Sequence, residues 1–482
     1  MNRSFVVNLA ILLLLNILIK PLYILLDIQV QNAVGPEEYG MFFAVFNFSY
    51  LFQVFLDLGI NNFNNRSVAQ DEGHLYKYLP ALFILKLLLA VGYAILSYVG
   101  GDMVGFSPFQ MQMLGWLIVN QFFLSMLLFL RSNLSGMHHF RVDSLLSVAD
   151  KLLLSVFLLV LLFGGVMAGP FQVTWLIYAQ TTSLALTVLL AGGAVLFYSG
   201  KIHFKSDWAT IWQMLKETFP YALFGIFMGI YYRIDGVMIE RMLPETGAYQ
   251  AGVYAACYRL LDAANIIGLL FAGLLLPIFS RMLKKEESTI ELLSFSFRVL
   301  VGGAVMVAII LWFYAEPLIS SLYTESTPYW SDVLRILFWA FPGVSAVYIY
   351  GTLLLAGGQL RIINIITFTT MLLNIGLNLL LIPQFEALGA TWASIVTQIL
   401  SSLGLIYYGH KYLKEPFSVS DFTRIALLAA GVFAICQVSV YLPIDWKIKF
   451  ALVSIIGVGI AFMLRVFEWK ALVGIVKQRG KR

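Results

Sequence analysis

Two cations lie at depths where a membrane-spanning segment rarely carries charge. Arg233 sits in the stretch Gly225-Ile-Phe-Met-Gly-Ile-Tyr-Tyr-Arg-Ile-Asp-Gly-Val-Met-Ile239, with Asp235 beside it, and Lys20 holds an equivalent place 213 residues earlier. A charge near the bilayer centre costs at least ~2.5–3.5 kcal/mol on insertion scales, so such residues normally line a polar cavity or face a partner. A cavity containing cations suits an anionic ligand, and arginine matches phosphate through paired donors. Were that cavity open sideways to the bilayer, a lipid diphosphate would fit it, headgroup inside and hydrocarbon tail among the lipids.

Other charges sit near these two. Arg259 and Asp262, at spacing i, i+3, can pair on one helix face or line the cavity. Arg233 and Asp235, two apart, point in different directions. Asp57 stands either in the cavity or at the end of a span, where Asn61, Asn62, Asn64 and Asn65 mark the exit. Lys86 and Arg335 are close enough to helix ends for their charged tips to snorkel to the interface. Asp27, Asp57, Asp235, Glu240 and Asp262 are the candidates for cavity acids or for a proton- or sodium-coupling group.

The elements that must hold these residues are membrane helices. Of 482 residues 60% are hydrophobic and 12% charged, and the mean hydropathy is +0.85. A soluble domain carries about 25% charge, so the composition is that of an integral membrane protein. Apolar runs of about 18–25 residues recur, each long enough for ~30 Å of hydrocarbon as a helix. They are continuous rather than alternating, which excludes an outer-membrane barrel. Fourteen spans are expected, near 5–30, 41–60, 79–99, 112–130, 146–167, 172–197, 219–240, 252–279, 298–316, 333–356, 362–382, 388–408, 424–442 and 448–466.

No nucleotide-binding glycine pattern occurs, so the chain carries no ATPase engine. Cys257 and Cys436 fall within spans and imply neither a disulfide framework nor a metal site. The five histidines, His74, His138, His139, His203 and His410, are read as loop residues on one side, without a metal role. The apolar N-terminus continues past Lys20-Pro21 to Ile28 with no small-residue cleavage site, so it reads as a retained first helix.

Loop charge sets the sides. With Met1 in the cytoplasm, cytoplasmic loops and tails hold 23 of the 31 Lys and Arg residues, Lys151 among them, while the outer side holds three and the spans five. This asymmetry places both termini in the cytoplasm. The basic tail Lys477–Arg482 reads as an anchor on anionic lipid.

The chain also repeats itself. Glu38-Tyr39-Gly40-Met41 corresponds to Gln250-Ala251-Gly252-Val253, an offset of 212, whereas Lys20 to Arg233 and Asp27 to Glu240 are offsets of 213. Gly136 with Arg141 corresponds to Gly358 with Arg361, and Thr174-Trp175 to Thr391-Trp392. The expected architecture is all-α, with two pseudo-symmetric six-helix lobes, 1–200 and 201–412, followed by two further helices and a basic tail in 413–482. An even number of spans keeps both copies in one orientation, related by an axis along the membrane normal, with the substrate between them.

These residues resemble those of Wzx-type oligosaccharide flippases, in the superfamily that also holds lipid II flippases and multidrug and toxin extrusion transporters. The matching segments are Gly35-Pro-Glu-Glu-Tyr-Gly40, Leu56-Asp-Leu-Gly-Ile60 with Arg66 behind it, Tyr232-Arg-Ile-Asp-Gly-Val-Met-Ile239 followed by Gly252-Val-Tyr254, Leu355-Ala-Gly-Gly-Gln359, and Gly389-Ala-Thr-Trp392. The resemblance spans essentially the whole chain. It implies a bacterial inner-membrane protein that moves undecaprenyl-diphosphate-linked oligosaccharide to the outer leaflet, as for lipopolysaccharide O-antigen, by alternating access. It assigns the substrate-binding cations to Lys20, Arg233 and Arg259 and implies no cofactor, with transport driven by a proton or sodium gradient or by substrate supply alone. Implied partners are the lipid-linked oligosaccharide, membrane lipids and, among pathway proteins, a glycan polymerase. The rival readings are a multidrug exporter or a lipid II flippase on the same fold. More remote is a membrane glycan polymerase or ligase, for which the longest outer loop, expected at 317–332, offers no Lys, Arg or His.

Overall fold

The computed structural model describes residues 3–61, 64–65, 68, 73–165, 169–199, 208–414 and 418–468, and the side chains of 3–18, 20, 73–78 and several positions in 208–221 lie outside that description. No strand occurs among the described residues. The helices are α1 (Arg3–Leu51), α2 (Gly73–Val104), α3 (Pro108–Gly136), α4 (Phe140–Phe163), α5 (Val173–Ser199), α6 (Trp208–Met242), α7 (Gly247–Lys284), α8 (Ile290–Leu322), α9 (Pro328–Leu337), α10 (Ala340–Ala356), α11 (Leu360–Leu413), α12 (Val419–Val440) and α13 (Trp446–Met463). A short 3-10 turn, Gln53–Leu56, follows α1.

Among the described residues, eleven helical stretches are long and apolar enough to cross a bilayer, against the fourteen expected. Part of the difference is that α11, counted once, is a bent rod with a break at Glu386 (φ 55°, ψ −131°). α1 is bent likewise, at Gly35 (φ 81°, ψ 166°). Gly35 takes a positive φ without a Cβ penalty, and Pro36, which has no N–H to offer the preceding turn, starts the second arm. The outer loop expected at 317–332 is much shorter, because α8 runs to Leu322 and α9 begins at Pro328.

Packing follows an inside-out polarity. Leu88, Val91 and Ile95 on α2, and Leu189 and Phe197 on α5, point outward, whereas Asn47, Asn120, Asn133, Asn374 and Asn378 are buried. That suits a chain surrounded by hydrocarbon, where buried polar side chains bond across helices. The chain divides into two compact units, Met1–Gly252 and Val253–Arg482. The division falls within α7 rather than near residue 200, because α6 packs along α1. In the first unit α1 also packs on α4, and Leu82, Phe129, Leu134 and Val195 join α2, α3 and α5 in a core. In the second, Met306 and Tyr314 of α8 pack with Leu428 and Val432 of α12 and Val453 of α13.

The repeat is visible in backbone hydrogen bonds. At the α3–α4 turn the N–H groups of Met137, His138 and His139 donate to the carbonyls of Asn133, Ser135 and Leu134. At the α10–α11 turn, those of Gly357, Gly358 and Gln359 donate to Leu353, Leu355 and Leu354. The two sets correspond at one constant offset, and His138 (φ 62°) matches Gly358 (φ 72°) as the left-handed residue that closes each helix. Gly358 therefore corresponds to His138, two residues beyond the Gly136 expected from sequence.

Candidate functional site

Arg233 is held by the second arm of α1. Its Nη1 donates to Asn47 Oδ1 at 3.4 Å, and its guanidinium carbon lies 5.3 Å from the centre of the Tyr50 ring. α6 comes close enough for this because Gly236 faces Phe43 and Asn47, and Gly225 faces Val54, with no side chain between. Arg233 is half-buried and Asp235 is buried. The aromatic face below the cation and the amide beside it set the guanidinium's direction.

Eight residues earlier along α6, about 12 Å at the helical rise, a cavity of about 300 Å³ opens between Gly225, Gln53, Asp57, Asn61 and Ser125, its lining completed by apolar residues such as Val54, Leu58 and Leu128. Asp57, with its side chain 32% exposed, lines it. Behind Asp57 lies Lys86, whose Nζ donates to Asp57 Oδ1 at 3.0 Å, to Ser125 Oγ at 2.9 Å and to the Leu56 carbonyl at 3.1 Å. Three donors meet three acceptors, so the ammonium is fully satisfied while only 2% exposed. The expected snorkelling of Lys86 is therefore incorrect: its tip points inward to a partner 29 residues away. Sequence gave no periodic signal for that pairing.

The remaining acids divide. Asp27 Oδ2 accepts from Tyr39 Oη at 2.7 Å, which ties the two arms of α1 together across the Gly35 bend. Glu240 is buried, accepts from Gln110 Nε2 at 2.7 Å and pairs with Arg241. Arg241 also donates to the Gly105 carbonyl at 2.7 Å and lies over Phe106, so the end of α6 is fixed to the α2–α3 connection. Both acids are thus tied to structural partners in the first unit. Arg259 and Asp262 are half-buried one turn apart on α7, in the second unit. The side chain of Lys20 lies outside the described residues.

Two further residues lie elsewhere than the sequence suggests. Lys151, expected in a cytoplasmic flank, lies near the middle of α4, because that helix begins at Phe140 rather than near residue 146. His410, expected in a loop, is buried within α11, with Nε2 2.9 Å from Tyr350 Oη. Arg335 pairs with the exposed carboxylates of Asp332 at 2.8 Å and Glu316 at 3.7 Å. Among the described residues no group of three or more His, Cys, Asp or Glu could hold a metal ion.

Residues 5–283, more than half of the chain, match the family described as "Polysaccharide biosynthesis protein". An uncharacterized membrane protein of Methanocaldococcus jannaschii is 24% identical over 391 residues, covering 76% of this chain and 88% of the relative. The lipid II flippase MurJ in an inward closed conformation superposes with a TM-score of 0.74 at 15% identity, covering 96% of this chain and 99% of MurJ. An inward-facing multidrug resistance transporter of the MATE family, in the MOP superfamily, gives 0.68 at 16% identity over 85% of this chain and 98% of its own. A MOP superfamily transporter from Pyrococcus furiosus gives 0.60 at 16% identity, covering 85% and 95%. At these identities the structures establish the fold, an all-helical one shared with MOP superfamily transporters. The family match carries the identification: this multi-pass membrane chain belongs to the polysaccharide biosynthesis protein family.

Proposed function

We propose that this chain is a flippase that carries undecaprenyl-diphosphate-linked oligosaccharide from the cytoplasmic to the outer leaflet of a bacterial inner membrane, with both termini cytoplasmic. One observation carries the reading: in a chain of the polysaccharide biosynthesis family, Arg233 is held against Asn47 and Tyr50 inside a membrane helix, with a cavity that exposes Asp57, Asn61 and Ser125 farther along the same helix. The cation attracts the diphosphate, and amide and aromatic side chains offer surfaces to sugar. Lys20 is assigned to the same task by the repeat and by the resemblance, and Arg259 by the resemblance. The repeats 1–200 and 201–412 are the proposed rocking bodies, with 413–482 as an appended pair of helices and tail.

The same-fold rival, a multidrug exporter, needs carboxylates open to organic cations. Here Asp57 is paired with Lys86 and Glu240 with Arg241, which favours an anionic cargo. A lipid II flippase would use the same headgroup chemistry and is separated from the proposal by the sugar carried. A polymerase or ligase is disfavoured by the short α8–α9 connection, which leaves little room for a catalytic loop.

Arg233→Ala in a strain dependent on this chain tests the reading. Surface glycan is expected to disappear while the protein stays in the membrane at its normal level. Normal glycan display would sink the proposal.

A further inference from the structure

The outward stripe of α2 ends on an acid. Leu88, Val91 and Ile95 point outward at alternating spacings of three and four, and Tyr98 and Asp102, both exposed, continue the same stripe. Asp102 is two residues before Val104, ~3 Å from the end of the helix, so it stands where α2 leaves the hydrocarbon. Among the described residues no hydrogen bond or ion pair engages its carboxylate. Tyrosine and tryptophan are ordinary at such a level; a carboxylate among them on the lipid side is not.

Beside Asp102, α2 and α3 enclose a groove of about 660 Å³. α3 lines it with Gln112, Trp116 and Val119, whose spacings of four and three put them on one helix face. Gln112 lies ~6 Å into α3, Trp116 ~12 Å and Val119 ~16 Å, so the groove is polar at its mouth and apolar below. Trp116 meets Tyr178 of α5 edge to face, ring centres 5.2 Å apart, which steadies the indole. Gly115 leaves the wall open, since a Cβ there would meet nothing within 4 Å.

The lining selects the charge of its occupant. No lysine or arginine is among the lining residues, so a diphosphate would meet the Asp102 carboxylate with no cation to offset it. An ammonium suits the groove: the carboxylate accepts its N–H bonds, and the Tyr98 and Trp116 rings attract its charge. Because Tyr98 and Asp102 continue the lipid-facing stripe, that ammonium belongs to a bilayer lipid whose chains run on along Ile95 and Val91. We propose that the α2–α3 groove binds a phospholipid with a primary-amine headgroup, its ammonium on Asp102 and its phosphate on the Gln112 amide. The inference is independent of the flippase reading. Phe106, on the groove wall, also lies under Arg241 at 5.2 Å, so an occupant braces the connection that holds the end of α6.

The test titrates the full-length protein in detergent with phosphatidylethanolamine, phosphatidylcholine and phosphatidylglycerol of identical chains and counts bound lipid by native mass spectrometry. The wild type is expected to hold the ethanolamine lipid about ten-fold more tightly than the glycerol lipid, the difference made by one hydrogen bond to a charged group. The choline lipid, which keeps the cation–π contact but has no N–H, should fall between them. Asp102→Asn should lower the ethanolamine lipid to the level of the glycerol lipid and leave the glycerol lipid unchanged. Gly115→Leu, which fills the groove, should abolish the preference as well. Glu325→Gln, an exposed acid in the α8–α9 connection, should keep it. Equal binding of the three lipids, or a preference that survives either groove variant, overturns the proposal. A choline lipid held as tightly as the ethanolamine lipid overturns the assignment to a primary amine. As a second readout, the ethanolamine lipid should raise the unfolding temperature of the wild type but not of Gly115→Leu; an equal rise in both also overturns the site.

Discussion

Gly40 and Gly252 lie at a reciprocal crossing. A Cβ on Gly40 would overlap the carbonyl oxygen of Ala248, and a Cβ on Gly252 would overlap that of Pro36. Gly40 is four residues after Pro36 and Gly252 four after Ala248, so each helix presents the same pair to the other. The offset between the pairs is the repeat offset itself. Gln31 Nε2 adds a bond to the Gly252 carbonyl at 2.9 Å. The start of α1's second arm and the start of α7, both in the first unit, thus meet backbone to backbone.

Substituting either glycine should separate the two helices. Gly252→Ala or Gly40→Ala is expected to cost about 1–3 kcal/mol through overpacking, seen as a lower unfolding temperature in detergent and a loss of transport. Gly92→Ala, where a Cβ meets nothing within 4 Å, should leave both unchanged. Equal behaviour of the three variants would show that the crossing is not tight.

The Lys86–Asp57 pair predicts an asymmetry between single and double substitutions. Lys86→Met takes the cation from the Asp57 carboxylate, which is 32% exposed and keeps the Asn61 N–H, and is expected to destabilise by about 1–3 kcal/mol. Lys86→Met with Asp57→Asn removes both charges and should recover most of that loss. Thermal unfolding of the three proteins decides it, and a double variant no better than Lys86→Met would contradict the pairing.

A hydroxyl spans the bend in α1: Tyr39 Oη donates to Asp27 Oδ2. Tyr39→Phe removes the donor to buried Asp27 and is expected to cost about 1–3 kcal/mol. The added Asp27→Asn change should restore part of it, since a neutral amide is cheaper to bury than a carboxylate. If α1 bends during transport, the Tyr39→Phe protein should also lose rate more than ligand affinity. An unaltered unfolding temperature would show that the clamp contributes nothing.

Much of this was legible in the chain itself. Arg233 stood out because a lone charge in an apolar run is costly, and Gly40 and Gly252 because each sits in a similar run of residues. What was hidden has physical causes. Lys151 was misread because a helix boundary is blurred when polar residues such as Arg141, Asp143 and Asp150 extend into its first turns; α4 begins six residues before the expected point. Lys86 was misread because its partner comes from a turn between helices, which no helical periodicity reveals. His138 was not matched to Gly358 because a left-handed cap is set by backbone geometry, and these two residue types share it without sharing chemistry.

The most direct test of the central claim is the leaflet in which lipid-linked oligosaccharide accumulates when this chain is removed. An impermeant glycosidase or lectin applied to spheroplasts reports the outer leaflet, and the same reagent applied to inverted vesicles reports the inner one. The account predicts accumulated units that are protected in spheroplasts, accessible in inverted vesicles, and released to the outer leaflet by wild-type protein but not by Arg233→Ala. Accumulated units already exposed on the outer face would contradict it and place the chain after translocation, with a polymerase or ligase. No accumulation, together with raised sensitivity to cationic drugs, would contradict it in favour of an exporter.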